Sequence, residues 1–304
     1  MAMRLNRFPI HTNSNNNSDK NTRYITYTEW GDPDNLHIVV CVHGLTRNCR
    51  DFDFLAKELE SNCRVICVDI VGRGQSDWLI NIEDYDHHPL YVSDTVALLS
   101  HIGALGNSAV QLDWVGISMG GLIGMIMAIQ PESPDLIRRL VMSDIGPLIP
   151  AIALAEMLDY VGKEPHFNSF KEFKEHIKEI SSSYGHLTDA QWHHLAVHSA
   201  RKFDNGTYGF NYDPGIVESL KKHTSHDINM WKQWNTLSIP TLVLHGEKSN
   251  VLHPETVAEM QVRGAMVQII ELPNIGHAPM LISNDQIILV KDYLLAPEST
   301  TGFF

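Results

Sequence analysis

The pentapeptide G-I-S-M-G at residues 116–120, followed by Gly121, offers a serine in a setting where its hydroxyl can react. It sits where a strand-like run, residues 112–115, gives way to a helical pattern. A serine on so tight a turn needs neighbours without Cβ two positions before it and two after, and Gly116 and Gly120 meet that need. The helix that follows aims its first N–H groups at the Ser118 oxygen and at any oxyanion bonded to it. Such a hydroxyl suits acyl transfer, provided that a base and a second oxyanion donor stand beside it.

The donor is suggested by V-H-G-L-T-R-N, residues 42–48, directly after the first strong apolar run. The His43–Gly44 turn presents the N–H of Leu45, and the N–H of Met119 makes the second donor of an oxyanion hole. Without the serine motif the same residues would read as a plain strand-to-helix turn. The base is suggested by N-I-G-H-A-P, residues 274–279. The chain has 17 histidines, so one histidine alone carries little information. His277 stands out because it follows a glycine in a loop at the carboxyl end of the last strand-like run, on the rim that carries Ser118. A neutral imidazole there takes the serine proton and returns it to a leaving group.

A carboxylate should orient that imidazole, and in this chain order it is expected between the serine and the histidine. The loop H-G-E-K-S-N-V-L-H-P, residues 245–254, carries Asn250 at the expected position. An amide accepts the imidazole N–H but is neutral and also supports the wrong tautomer; where Asp was exchanged for Asn in a serine protease, kcat fell about 10⁴-fold. Three readings stand. Asn250 occupies the acid slot in a weakened protein, Asp144 reaches His277 from a neighbouring strand end, or Glu247 bends inward from the loop of Asn250. S-D-I-G-P at residues 143–147 also reads simply as a turn out of the sheet.

Placing these residues on one rim requires a parallel sheet. Short β-branched runs at residues 37–42, 64–70, 111–117, 139–144, 240–245 and 267–272 are mostly bounded by Gly, Pro or Asp, as buried parallel strands are. Helical patterns lie between them at residues 91–105, 120–130, 254–264 and 284–295. Residues 147–234 break the alternation: no convincing strand is visible, and helical stretches occur at residues 149–161 and 170–182, with an aromatic- and His-rich run at 191–199. Helices inserted between two strands would cover the carboxyl ends of the sheet, where open α/β sheets bind ligands. The expected organisation is a flexible N-terminal tail (1–22), an α/β core (23–146 and 235–304) and a helical lid (147–234). The Asn/Ser-rich residues 13–21 are the least able to bury themselves.

Composition removes other classes. The 304 residues carry 23 Lys+Arg against 36 Asp+Glu, a net charge of −13, which disfavours nucleic-acid binding. Apolar residues make up 43% and charged residues 19%, so a packed core is expected. The four cysteines, Cys41, Cys49, Cys63 and Cys67, are too few for a disulfide scaffold and read as reduced thiols. No run approaches the ~20 apolar residues that span a bilayer, and the N-terminus lacks a signal-peptide pattern, so a cytoplasmic location is expected. His193, His194 and His198 have helical spacing, but no cysteine or carboxylate ligand set lies near them in sequence, so neither a metal nor a cofactor is expected. Met157, Tyr160, Phe167 and Trp192 are candidates to line an acyl pocket. The oligomeric state stays open, with a homo-oligomer allowed.

Taken together, V-H-G-L-T-R-N, V-D-I-V-G-R-G-Q-S-D (residues 68–77), V-G-I-S-M-G-G, S-D-I-G-P, L-V-L-H-G-E-K-S-N and G-H-A-P resemble the α/β-hydrolases, in their lid-bearing, esterase-like branch. The resemblance covers about residues 24–295. It implies an eight-stranded, mostly parallel sheet with the lid after the sixth strand, Ser118 as nucleophile, His277 as base, and the N–H groups of Leu45 and Met119 as oxyanion hole. It places the acid slot on Asn250, where the family usually carries Asp. The stretch at residues 69–76 is common in the family and reads as a structural turn, and Y-G-F-N-Y-D-P at residues 208–214 resembles bacterial relatives. Relatives that open epoxides or displace halides carry Asp at the position of Ser118, so those activities are disfavoured.

The expected activity is that of a serine carboxylesterase acting on small esters, with no metal or organic cofactor. A carbon–carbon bond hydrolase, an acyltransferase and a ligand binder that has lost turnover are the alternatives, the last favoured by Asn250. Labelling of Ser118 by a fluorophosphonate separates the catalytic readings from the binder.

Overall fold

The structure, a computed structural model, describes residues 2–12, 21–85, 87–130, 136–222, 224–264 and 266–297. Eight strands form one sheet: β1 (Arg4–Thr12), β2 (Asn21–Trp30), β3 (His37–Val42), β4 (Arg64–Val68), β5 (Gln111–Ile117), β6 (Arg139–Ser143), β11 (Thr241–Gly246) and β12 (Val267–Leu272). Between β6 and β11 lie four short strands, β7 (Leu148–Ile149), β8 (Ala200–Lys202), β9 (Tyr208–Phe210) and β10 (Ile228–Asn229). The sheet order is β1-β2-β4-β3-β5-β6-β11-β12. β1 and β2 pair antiparallel, as do β2 and β4; every other neighbouring pair is parallel. The parallel centre is the one expected from the strand–helix alternation, and an eight-stranded, mostly parallel sheet is what the motif resemblance implies.

The central strands are apolar on both faces because helices cover both. Every residue of β3 from Ile38 to Val42 is buried, as is all of β6 and β11. The flanking helices are α1 (Asp53–Leu59), α2 (His87–His101), α3 (Met119–Ala128), α9 (Pro254–Arg263) and α10 (Asn284–Leu295). Between them the chain forms α4 (Ala151–Met157), α5 (Phe170–Ile180), α6 (Asp189–Ser199), α7 (Val217–Lys221) and α8 (Trp231–Thr236). Trp114 on β5 is fully buried, and its Nε1 donates to Gly120 O at 2.9 Å, tying the strand to the first turn of α3. Truncating such a ring to Ala costs about 3–5 kcal/mol. At the other end of the sheet, Arg139 donates to the carbonyls of Tyr293, Leu294 and Ala296, closing the C-terminus of α10.

Two expectations need correction. Residues 1–22 are not simply a tail: β1 adds an edge strand with Phe8 opposite Ile25, and Phe8 is buried against Tyr27 and His101. Pro9 in that run argues against a central strand but is compatible with an edge, where one N–H faces away from the sheet. The Asn/Ser-rich stretch lies, apart from Asn21 at the start of β2, outside the described residues. Residues 147–234 do contain strands, but each is only two or three residues long, too short to leave a periodic signal. Among the described residues no helix is long and apolar enough to cross a membrane.

Candidate active site

Ser118 stands between β5 and α3 with φ 49° and ψ −115°, a conformation strained for a residue with a Cβ. The strain is held on both sides. Ser118 N donates to Ser143 O at 2.9 Å, and Ser118 O accepts from Gly121 N at 2.8 Å. The two glycines are required by close approach: a Cβ on Gly116 would collide with the backbone of Gly120 and Gly121, and one on Gly120 with the carbonyl of Val42. The serine is thus pinned at the carboxyl end of the central strands.

His277 Nε2 lies 2.9 Å from Ser118 Oγ, and its Nδ1 lies 2.8 Å from Asp144 Oδ2. A carboxylate only accepts, so Nδ1 carries the proton and Nε2 accepts from the serine hydroxyl. Asp144 is fully buried at φ 52°, immediately after β6. Its Oδ1 accepts from Gly246 N at 2.8 Å and its Oδ2 from Ser249 Oγ at 2.6 Å. These bonds fix the position of the carboxylate.

The loop of His277 is held from two directions. Lys248 N donates to Ile275 O at 2.8 Å and Ser143 Oγ to Pro279 O at 2.7 Å, both from the sheet side. From the segment between β6 and β11, Ser183 accepts from Gly276 N at 2.8 Å and donates through Oγ to His277 O at 3.0 Å.

Of the three acid readings, the geometry brings only Asp144 to the imidazole. Asn250 does not occupy the acid position: its Nδ2 donates to Glu156 Oε2 at 2.7 Å. The cause is local, since Ser249 Oγ accepts from Val251 N and Leu252 N and so turns the chain, leaving Asn250 facing α4. Glu247 accepts from Asn274 N at 2.6 Å and is exposed. Ser249 and Ser183 escaped the sequence reading, because no local pattern marks a lone serine that supports a neighbour.

Leu45 lies in a turn closed by Arg47 N donating to Gly44 O at 3.1 Å. Gly44 approaches Ser118 closely enough that an added Cβ would sit 3.8 Å from Ser118 Cβ. Met119 opens α3, so its N–H has no carbonyl one turn back. His43 sets the turn: it is fully buried, donates through Nδ1 to Gly44 O at 2.7 Å and accepts from Ile70 N at 3.0 Å. Burial, aided by the nearby cations Arg73 and Arg47, depresses its pKa to about 3, so it stays neutral. The turn of residues 69–76 is built around Asp69, which accepts from Cys49 N at 2.7 Å and Gln75 N at 2.9 Å.

Two cavities open on Ser118. One of about 820 Å³ runs between the strand ends and the segment after β6, touching Leu45, His277, Met157, Tyr160 and Phe210. The other, about 100 Å³, is an apolar slot beside Met119, Ile123, Ile145 and Leu154. Met157 and Tyr160 thus face the larger cavity as expected. Phe167 instead packs against Phe173 and His176, and Trp192 against an apolar cluster of the core.

His194 and His198 meet a carboxylate distant in sequence, Asp53; their ligand atoms lie within 4.8 Å of one another. Both Asp53 oxygens already accept from Arg50, so a cation is in place there. His193 takes no part, its ring lying against Phe170.

Comparisons with known proteins bear on the family and the overall fold. Residues 39–287 match the sequence profile described as the alpha/beta hydrolase family. The chain is 38% identical over 286 residues to a 3-hydroxybutyrate-oligomer hydrolase of Cupriavidus necator, covering 91% of this chain and 93% of that protein. A Rickettsia typhi crystal structure superposes with a TM-score of 0.86 at 32% identity, covering 96% of this chain and 98% of the other. An alpha/beta hydrolase from Novosphingobium aromaticivorans superposes with a TM-score of 0.80 at 30% identity, covering 95% and 98%.

Proposed function

The chain belongs to the alpha/beta hydrolase family and is a hydrolase, and we propose that it hydrolyses carboxylic esters through an acyl-enzyme on Ser118. The observation that carries this reading is the continuous chain Ser118 Oγ to His277 Nε2 at 2.9 Å and His277 Nδ1 to Asp144 Oδ2 at 2.8 Å.

Ser118 Oγ attacks the ester carbonyl carbon while its proton passes to His277 Nε2. The carbonyl electron pair moves onto oxygen, where the N–H groups of Leu45 and Met119 receive the negative charge. Asp144 stays ionised and stabilises the imidazolium. As the tetrahedral intermediate collapses, the bond to the alcohol oxygen breaks and His277 gives that oxygen its proton. Water then attacks the acyl carbon, its proton goes to His277, and collapse returns that proton to Ser118 Oγ with release of the acid.

The substrate we infer is a short oligoester of a hydroxy acid. The support is the likeness to the 3-hydroxybutyrate-oligomer hydrolase, together with a cavity of about 820 Å³, within the range of cavities that enclose a small-molecule ligand. In this reading residues 147–234 act as the lid over the core of 23–146 and 235–304. The binder alternative loses its motive, because Asn250 does not face His277.

The test is incubation with 3-hydroxybutyrate dimer and trimer and with p-nitrophenyl butyrate, with products resolved by chromatography. We expect monomer release from the oligomers and kcat/KM within the ordinary enzyme range, above about 10⁴ M⁻¹s⁻¹ for one of them. Turnover of the nitrophenyl ester alone would retain the esterase and remove the oligomer assignment. Turnover of none would remove both.

A further inference from the structure

Arg73 is fully buried, yet among the described residues none of its hydrogen-bond partners is a carboxylate. Its Nε donates to Leu45 O at 2.8 Å, and its Nη1 to Val71 O and to Tyr91 Oη, both at 2.8 Å. Its Nη2 points at Met119 Sδ, 3.9 Å away. The guanidinium carbon sits 5.1 Å from the centre of the Tyr91 ring and 5.9 Å from that of Tyr85. The backbone is equally fixed. Arg73 N donates to Ile70 O at 3.0 Å, and the residue pairs with Tyr212, in the segment after β6.

Burying a charge without an opposite charge is costly, and an apolar side chain of the same volume would fill this space at lower cost. Stability alone therefore does not account for an arginine here. Its placement does: the two residues whose N–H groups face the carbonyl in the proposed reaction, Leu45 and Met119, are both touched by this one side chain. A negative charge develops beside those N–H groups only as the ester carbonyl is attacked. A fixed cation behind them, shielded from water, favours that state over the neutral ground state.

We propose that Arg73 is the positioning residue of the oxyanion hole, holding Leu45 and Met119 in place with its planar fork and supplying the positive charge behind them. This rests on the acyl-enzyme reading above. Arg73 does not touch the substrate; it acts through the two residues it grips.

The test uses the full chain with Arg73→Met, which keeps the volume and removes the charge, and Arg73→Lys, which keeps the charge but cannot reach Leu45 O and Met119 Sδ together. Each is measured for kcat and KM on p-nitrophenyl butyrate and for inhibition by a boronic acid, whose adduct with Ser118 carries the tetrahedral negative charge. We expect kcat to fall about 10²-fold in Arg73→Met and about tenfold in Arg73→Lys, with KM within about threefold. Boronate affinity should fall in step with kcat, a split that a loosened fold would not produce. Wild-type kcat in either folded variant overturns the proposal, as does a drop in kcat with unchanged boronate affinity. Failure of both variants to fold assigns Arg73 to the core and also overturns it. An inactive wild-type protein that resists fluorophosphonate removes the acyl-enzyme reading itself, a result distinct from any of these.

Discussion

The carboxylate of Asp144 meets Nδ1 of His277 at 2.8 Å across 133 residues of sequence, from the end of β6, the strand beside the one that delivers Ser118. Gly246 N and Ser249 Oγ bond the same carboxylate, so it is fixed before it meets the imidazole. Asp144→Asn should therefore lower kcat about 10⁴-fold with the fold intact. Asn250→Asp should change kcat by no more than about threefold and lower stability slightly, because a charge would face Glu156. Steady-state kinetics and a thermal melt on each variant check both; the reverse pattern would put the acid back at position 250.

Close approach at the serine turn makes a second, purely steric prediction. Gly120→Ala and Gly116→Ala should each cost about 3 kcal/mol or more, because the added methyl meets rigid backbone rather than a side chain that can swing away. Gly44→Ala meets its neighbours at 3.8 Å, an ordinary contact, and should stay within about 1 kcal/mol of the wild type. Denaturant melts of the three variants provide the comparison.

His43 links the oxyanion turn to pH. Its folded pKa, about 3, lies below the ordinary value of 6.5, so its contribution to stability is complete above pH 6.5 and is lost as pH falls towards 3. At pH 5 the loss from this residue is about 2 kcal/mol. His198, half-buried and likewise depressed to about 3 by burial and by Arg50, acts with the same sign. Unfolding free energy should drop between pH 7.5 and pH 5 in the wild type and drop less in His43→Gln. Equal drops in the two proteins would remove His43 from the account.

Much of this was legible before the structure. Strands β3, β5 and β12 and helix α10 begin and end where the sequence runs do, because β-branched and apolar residues dominate each strand and Gly, Pro or Asn residues bound it. Ser118, Leu45 and His277 lie in short glycine-containing motifs, the glycines beside Ser118 and His277 reflecting local crowding, and the structure brings all three to one cavity. The acid was not legible in the same way. Asp144 and Asn250 both follow a strand in turn-rich sequence, and the choice between them depends on Ser249 bending its loop towards α4, a tertiary event. Asp53 escaped as a neighbour of His194 and His198 for the same reason, as did β1, whose half-exposed edge pattern is broken by Pro9.

The most direct measurement is the mass of the intact protein after exposure to a fluorophosphonate, followed by peptide mapping. The acyl-enzyme account predicts one adduct per chain, carried by Ser118, absent in Ser118→Ala and formed far more slowly in His277→Ala. An adduct on another residue, or none on a folded protein that binds 3-hydroxybutyrate oligomers, would contradict it.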